Sequence, residues 1–111
     1  MANAFKLKTL DGSAIAANTT STVYTAPAST TTIVLGLTLS NISNQTIYAT
    51  VGIENSDGDN VQFLKAIPIP TGSAVEVMSG NKIVLETGDA ITAASDVANS
   101  LDTTLSIMEQ S

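Results

Sequence analysis

Apolar and polar residues alternate along most of the chain with a period of two. The pattern is clearest near the C-terminus, where Leu101, Thr103, Leu105 and Ile107 fall on one face and the residues between them fall on the other. Successive side chains of a β-strand point to opposite sides of its sheet, so this period indicates a half-buried strand. No segment shows a helical period of comparable length. The pattern predicts an all-β protein.

Two long strands are predicted in the first half of the chain. Segment 31–41 is predicted to face the core with Ile33, Leu35, Leu37 and Leu39. Segment 47–54 repeats the alternation with Ile47, Ala49, Val51 and Ile53. Residues 43–45 between them are turn formers, which favours an antiparallel hairpin of the two strands.

The strongest turn signal is residues 55–60, Asn-Ser-Asp-Gly-Asp-Asn, because Gly, Asn and Asp tolerate the positive φ of tight hairpins. The strand that follows has Val61, Phe63, Ile67 and Ile69 on one face, interrupted by Lys65. Proline cannot donate a ladder hydrogen bond, so Pro68 and Pro70 predict that this strand reaches a sheet edge near Ile67.

Shorter strands are predicted at residues 74–78, 82–86 and 90–94, separated by turns at 79–81 and 87–89. About eight strands with turns every ~8–12 residues are typical of sandwiches and barrels. At 111 residues the chain has room for one hydrophobic core. We therefore expect a single antiparallel β-sandwich domain over residues 1–111, either jelly-roll or immunoglobulin-like.

The N-terminal segment leaves two alternatives open. Phe5, Leu7 and Thr9 alternate with two lysines, whereas residues 11–21 are nearly all small or polar, with Ile15 as the one large apolar side chain. The segment is either an edge strand followed by a surface loop, or residues 1–21 form an arm that pairs with a neighbouring subunit by strand addition. The candidate interface residues are Phe5, Leu7, Leu10 and Ile15.

Composition removes several classes of function. The chain has no cysteine or histidine, and its only cations are four lysines against ten acidic residues, for a net charge of -6. Nucleic acids and anionic membranes would repel it. It shows no signal peptide or apolar membrane span, which favours a soluble protein made in the cytoplasm.

Candidate chemistry is sparse. Asn55, Asp57 and Asp59 alternate like the first ligands of a calcium-binding EF-hand loop, but Gly58 is misplaced and the final Glu is missing, so a hairpin turn is favoured. Carboxylate pairs could hydrolyse glycosides, but the four glutamates, at positions 54, 76, 86 and 109, are predicted to be solvated on outward faces. We predict no enzyme activity, no cofactor and no metal site.

Four segments carry a resemblance: Tyr-Thr-Ala-Pro-Ala at 24–28, the apolar strand at 31–41, Ile-Pro-Ile-Pro-Thr-Gly-Ser at 67–73 and Ile-Val-Leu-Glu-Thr-Gly-Asp-Ala-Ile at 83–91. In this order they resemble small virion structural proteins of tailed bacteriophages. The resemblance implies a non-enzymatic β-sandwich subunit present in many copies on a capsid, neck or tail, and it suggests a homo-oligomer, with a trimer as one form. It transfers no binding residue, because the shared features are structural.

The leading hypothesis is a capsid decoration (cement) protein of the virion that bridges major capsid subunits. The first alternative is a neck, tail or baseplate adaptor that contacts other virion proteins. An alternative of another class is a carbohydrate-binding module, against which the scarcity of aromatic residues argues.

Overall fold

The chain folds into two antiparallel β-sheets packed face to face, as a computed structural model that describes residues 3–78 and 82–111 shows. The predicted all-β sandwich is confirmed, with nine strands in the described residues instead of about eight. They are β1 (Asn3–Leu10), β2 (Ser21–Thr25), β3 (Thr31–Asn41), β4 (Ile47–Glu54), β5 (Asn60–Ile69), β6 (Ala74–Glu76), β7 (Ile83–Leu85), β8 (Ala90–Ser95) and β9 (Leu101–Gln110). A single 3₁₀ turn, Gly12–Ala14, is the only helical element among the described residues.

The order of the strands identifies the topology. The first sheet has the order β1-β9-β3-β6, with β7 also paired to β3, and the second has the order β2-β8-β4-β5. Pairs are therefore nested: β1 with β9, β2 with β8, β3 with β6 and β7, and β4 with β5. Nested pairs of this kind arise when one long antiparallel hairpin folds over into two sheets, which is the topology of a jelly roll. In an immunoglobulin sandwich the first two strands share a sheet, whereas β1 and β2 lie in different sheets here.

The predicted hairpin of β3 with β4 is wrong, because these strands belong to different sheets. Asn41, at the end of β3, shapes the corner between them: its amide nitrogen donates to the carbonyls of Gln45 (2.8 Å) and Ile69 (2.9 Å), and its Oδ1 accepts from the Ser43 N–H (2.9 Å). These bonds bend residues 42–46 across the sandwich. Turn-forming residues indicate that the chain reverses, but they do not specify the sheet it enters.

The inward face of β3 also differs from the prediction. A β-bulge lies between Val34 and Gly36 in the pairing with β9. It inserts one residue, so the buried positions are Thr32 and Val34 before the bulge and Leu37 and Leu39 after it. Ile33 is only half-buried, and Leu35 is 40 % exposed. A bulge shifts the alternation by one residue, which a strict period of two cannot anticipate.

The core between the sheets is aliphatic. Leu37 of β3 and Leu105 of β9 are direct partners and both are fully buried. Truncating a leucine in such a position to alanine costs about 2–5 kcal/mol. The predicted inward residues of β9 and β4 are confirmed, apart from Ile53, which is half-buried. The other fully buried large side chains are Val34, Leu39, Ile47, Val51, Ile69, Met78, Leu85, Ile91 and Ile107.

The β4–β5 hairpin predicted at residues 55–60 is confirmed. The Asn55 N–H donates to the Asp59 carbonyl (2.7 Å), and the Gly58 N–H donates to the Asn55 carbonyl (2.9 Å). As predicted, β5 is an edge strand, here along its whole length. The predicted turn at residues 79–81 lies outside the described residues. The strands predicted around it appear as the shorter β6 and β7.

Candidate interaction surface

The register of β1 turns its apolar side chains to solvent. β1 pairs with β9 at eight positions, from Asn3 with Gln110 to Leu10 with Thr103. Directly opposed residues share a face of the sheet. Phe5 is opposite the outward Met108, so it points outward and is 74 % exposed; Leu7 lies on the same side. Lys6, opposite the buried Ile107, lies on the inner side.

A row of apolar side chains crosses the outer face of the first sheet. Phe5 pairs with Met108, Met108 with Ile33, and Ile33 with Val84, so one residue each of β1, β9, β3 and β7 stands in line. Val84 is 59 % exposed. Strands lie about 4.8 Å apart, so the row spans roughly 14 Å. With Leu7 and Leu35 beside it, this row forms the apolar face: Phe5, Leu7, Ile33, Leu35, Val84 and Met108.

The rest of this outer surface is polar. Beyond the row of Leu7, Ser106 and Gly36, the directly paired residues are Thr9, Thr104, Thr38 and Glu76. The Glu76 carboxylate accepts hydrogen bonds from the N–H groups of Met78 (2.9 Å) and Leu37 (3.1 Å) and from the Thr38 hydroxyl (3.0 Å). Burial opposes its ionisation, but these bonds outweigh burial and lower the pKa of Glu76. The apolar face itself contains no charged residue.

Beneath the apolar face, a polar network ties β1 to both sheets. The Lys6 ammonium lies 2.7 Å from Glu109 Oε1, and the Tyr24 hydroxyl donates to Glu109 Oε2 at 2.6 Å. The Tyr24 and Thr32 hydroxyls are 2.8 Å apart. Hydrogen bonds from Lys6 and Tyr24 lower the pKa of Glu109, and burial together with the bond to Glu109 raises the pKa of Tyr24 to about 12. The network links strands β1, β9, β2 and β3.

Glu109 corrects one prediction, because it is buried instead of solvated on an outward face. It lies on the inner side of β9, in line with Ile107 and Leu105. Alternation from Leu101 would have placed Glu109 inward, but its charge favoured an outward assignment. The ion pair with Lys6 and the hydrogen bond from the Tyr24 hydroxyl offset the free energy that the Glu109 carboxylate loses when it is removed from water.

The segment after β1 is bonded to the body of the domain. The Gly12 N–H donates to Asp102 Oδ1 (2.9 Å), and a side chain at Gly12 would collide with the Leu101 carbonyl oxygen, 1.7 Å from the ideal Cβ position. The Asn99 N–H donates to the Ile15 carbonyl (2.9 Å). Of the two alternatives for the N-terminus, the edge strand is the one present in this single chain; pairing of residues 1–21 with another subunit stays a prediction.

The four candidate interface residues separate into two places. Phe5 and Leu7 belong to the apolar face. Leu10 and Ile15 are half-buried and line a small cavity beside Leu101. Sequence reasoning missed Ile33, Leu35, Val84 and Met108 as the other residues of this face. Alternation alone would have turned Val84 outward, but the pairing of β1 with β9 and of β7 with β3 was needed to bring these residues together.

Polar side chains gather at two other places on the surface. The turn at residues 55–59 is closed by its own side chains, with Asn55 Oδ1 accepting from the Asp57 N–H (3.1 Å). Among the described residues, no three Asp or Glu side chains cluster to hold a metal ion. A groove of about 360 Å³ along β4, β5 and β8 contains one carboxylate, Glu54, among threonine, asparagine and glutamine side chains. Within the described part of the chain, no helix has the length and hydrophobicity needed to span a bilayer.

No protein-family model matches the chain, and no curated protein matches it. The role of the apolar face is therefore inferred from its chemistry. On folded domains, large contiguous exposed apolar patches are common at sites of contact with other macromolecules.

Proposed function

We propose that the chain is a bacteriophage virion structural protein, a capsid decoration (cement) protein that bridges major capsid subunits from the outside. The observation that carries this proposal is the apolar face, an uncharged patch on the outside of a sandwich whose own core is already complete. Phe5 and Val84, at its two ends, are both more than half exposed. Burial against a capsid subunit would remove this surface from water.

The resemblance to phage virion proteins supports the proposal, because its motifs meet in space. The Ala26 N–H donates to the Asp89 carbonyl (2.9 Å), and the Gly88 N–H donates to the Ala26 carbonyl (3.0 Å). The segments at 24–28 and 83–91 therefore form one structural joint across the sandwich. Gly88 has a φ of 90°, which a side chain would strain.

The energetics favour attachment to the capsid through many copies, each of which binds weakly. Full burial of one large apolar side chain contributes about 1.5–3 kcal/mol, whereas association costs about 4–15 kcal/mol in lost freedom. A face of six apolar residues therefore binds modestly as a single copy. Assembly as a homo-oligomer, of which a trimer is one form, would multiply the attachment through avidity. The net charge of -6 keeps the protein away from packaged DNA.

Quantitative mass spectrometry of purified virions of the source phage tests this function. A decoration protein is expected at a copy number comparable with that of the major capsid protein. A few dozen copies would exclude decoration and support the neck, tail or baseplate alternative. Absence from the particle would exclude both.

A pair of substitutions tests the surface. Val84→Glu places a charge on the apolar face and is expected to abolish binding to particles that lack the protein. Val61→Glu is the matched control, because Val61 lies on the other sheet and is 56 % exposed, close to the 59 % of Val84. Loss of binding in both variants, or in neither, would contradict attachment through this face.

The carbohydrate-binding alternative has one structural feature in its favour, the groove along β4, β5 and β8. Its volume of about 360 Å³ and its hydroxyl and amide groups suit a polyhydroxylated ligand. It contains no aromatic side chain on which a sugar ring could stack. Glycan-array binding that is lost on Glu54→Gln would support this alternative over the virion role.

A further inference from the structure

The four sheet edges differ in how they are protected against added strands. β5 contains Pro68, two irregularities in its pairing with β4 and Ala66 at a φ of 52°. β2 has five residues and one irregularity, and β6 and β7 have three residues each. β1 has eight residues, no proline and no irregularity in its pairing with β9. Among the described residues, β1 is thus the one long and regular edge, the kind that accepts another strand.

The inner side of this edge carries uncompensated positive charge. Lys6 and Lys8, half of the cations of the chain, both lie on the inner side of β1, opposite Ile107 and Leu105. Glu109 pairs with Lys6, the one ion pair among the described residues. The inner side of this edge therefore has one carboxylate, that of Glu109, for the two ammonium groups of Lys6 and Lys8. Inward-pointing charges of this kind repel an apolar strand, which would bury them without a partner.

We propose that the free edge of β1 binds an extended segment of a partner protein in which apolar and acidic residues alternate. Residues directly opposite each other share a face of the sheet. Residues opposite Phe5 and Leu7 would extend the apolar face, and residues opposite Lys6 and Lys8 would place carboxylates beside the ammonium groups. The lysines thus reject apolar strands and select acidic ones. This inference rests on the proposed function, since it names the chemistry of the virion partner.

A second copy of β1 is a poorer occupant. In an antiparallel pair of two β1 strands centred on Leu7, Lys6 of one copy would lie opposite Lys8 of the other. Like charges directly opposite each other destabilise a strand pair. The chain is acidic overall, so the local positive charge of this edge suits an acidic segment and not the edge of another copy.

The test uses the full chain and a synthetic octapeptide of alternating valine and glutamate, with an alternating valine–lysine octapeptide as its control. Titration followed by NMR is expected to show saturable binding of the glutamate peptide only, with the largest amide shifts in β1. Equal binding of both peptides, or shifts confined to β5 or β2, would overturn the inference. Self-association through β1, seen as amide shifts of β1 that depend on protein concentration and that neither peptide blocks, would also overturn it, in favour of a second copy.

A substitution pair then tests the charge. Lys8→Gln is expected to weaken binding of the glutamate peptide about fivefold, the effect of one partly exposed ion pair of about 1 kcal/mol. Lys65→Gln on the β5 edge removes the same charge and is expected to change nothing. Equal effects of the two variants would overturn the inference. If the peptide does not bind but the protein is abundant in virions, only the role of the β1 edge is rejected. If the peptide binds but the protein is absent from virions, only the proposed function is rejected.

Discussion

Tyr24 donates a hydrogen bond of 2.6 Å to Glu109, and this bond joins β2 of the second sheet to β9 of the first. Both side chains are buried, and Lys6 of β1 meets the other oxygen of the same carboxylate. The edge strand that carries part of the apolar face is therefore held by a network reaching through the sandwich. The stability of β1 and that of the sheet packing are coupled at this point.

Tyr24→Phe is expected to destabilise the domain by about 1–3 kcal/mol, because it leaves a buried carboxylate oxygen without a donor. Tyr48→Phe serves as the control. The Tyr48 ring is 47 % exposed, so its substitution is expected to change the stability by no more than about 0.5 kcal/mol. Urea denaturation measures both. Equal losses in the two variants would mean that the bond to Glu109 contributes nothing.

Acid is expected to weaken the fold through Glu109 and Asp89. Asp89 accepts from the N–H groups of Ser56 (2.8 Å) and Glu86 (2.9 Å), which lowers its pKa as the bonds from Lys6 and Tyr24 lower that of Glu109. A carboxylate whose pKa is lower in the folded state stabilises the fold above its unfolded pKa of about 4, and this contribution is lost as the pH falls through the folded value.

The free energy of unfolding should therefore decrease from about pH 5 to about pH 2, and the advantage of the wild type over Glu109→Gln should shrink over the same range. Urea melts at a series of pH values measure both quantities. A difference between the two proteins that stays constant across this range would show that the charge of Glu109 does not contribute.

Gly12→Ala is expected to cost about 1–3 kcal/mol through overpacking, because the added Cβ would lie 1.7 Å from the Leu101 carbonyl oxygen. Gly36→Ala is the matched control, since the nearest atom to its Cβ is 3.6 Å away. Hydrogen exchange should show faster exchange in β1 for the Gly12 variant alone. Similar exchange rates in both variants would argue against a tight junction between residues 11–14 and β9.

Thr103→Val is expected to leave stability unchanged or to raise it. The Thr103 hydroxyl is buried without a hydrogen-bond partner among the described residues, so valine of nearly the same shape removes an unsatisfied polar group. Thr32→Val removes a hydroxyl bonded to Tyr24 and should cost about 1 kcal/mol. Thermal denaturation compares the two. If Thr103→Val loses as much stability as Thr32→Val, the Thr103 hydroxyl is not an unsatisfied group.

The sequence predicted the fold class because alternation is a local property of each strand. β9 obeys it as far as Ile107 and β4 as far as Val51, and the turn at residues 55–60 has the residue types that a hairpin demands. The bulge at Leu35 and the corner at Asn41 could not be predicted, since both depend on the strands that lie beside them. The candidate surface was predicted in part. Phe5 and Leu7 were predicted as interface residues because the N-terminal segment has too few apolar residues to bury much surface, whereas Ile33 and Val84 join them only through strand pairing.

Cryo-EM of purified virions shows where the protein lies on the particle and which of its surfaces makes the contact. We expect density for the jelly roll on the outer capsid lattice, with Phe5 and Val84 against the shell and an extended segment of a capsid subunit beside β1. A particle that lacks this density, or one in which the Phe5 and Val84 side chains point to solvent, would contradict this expectation.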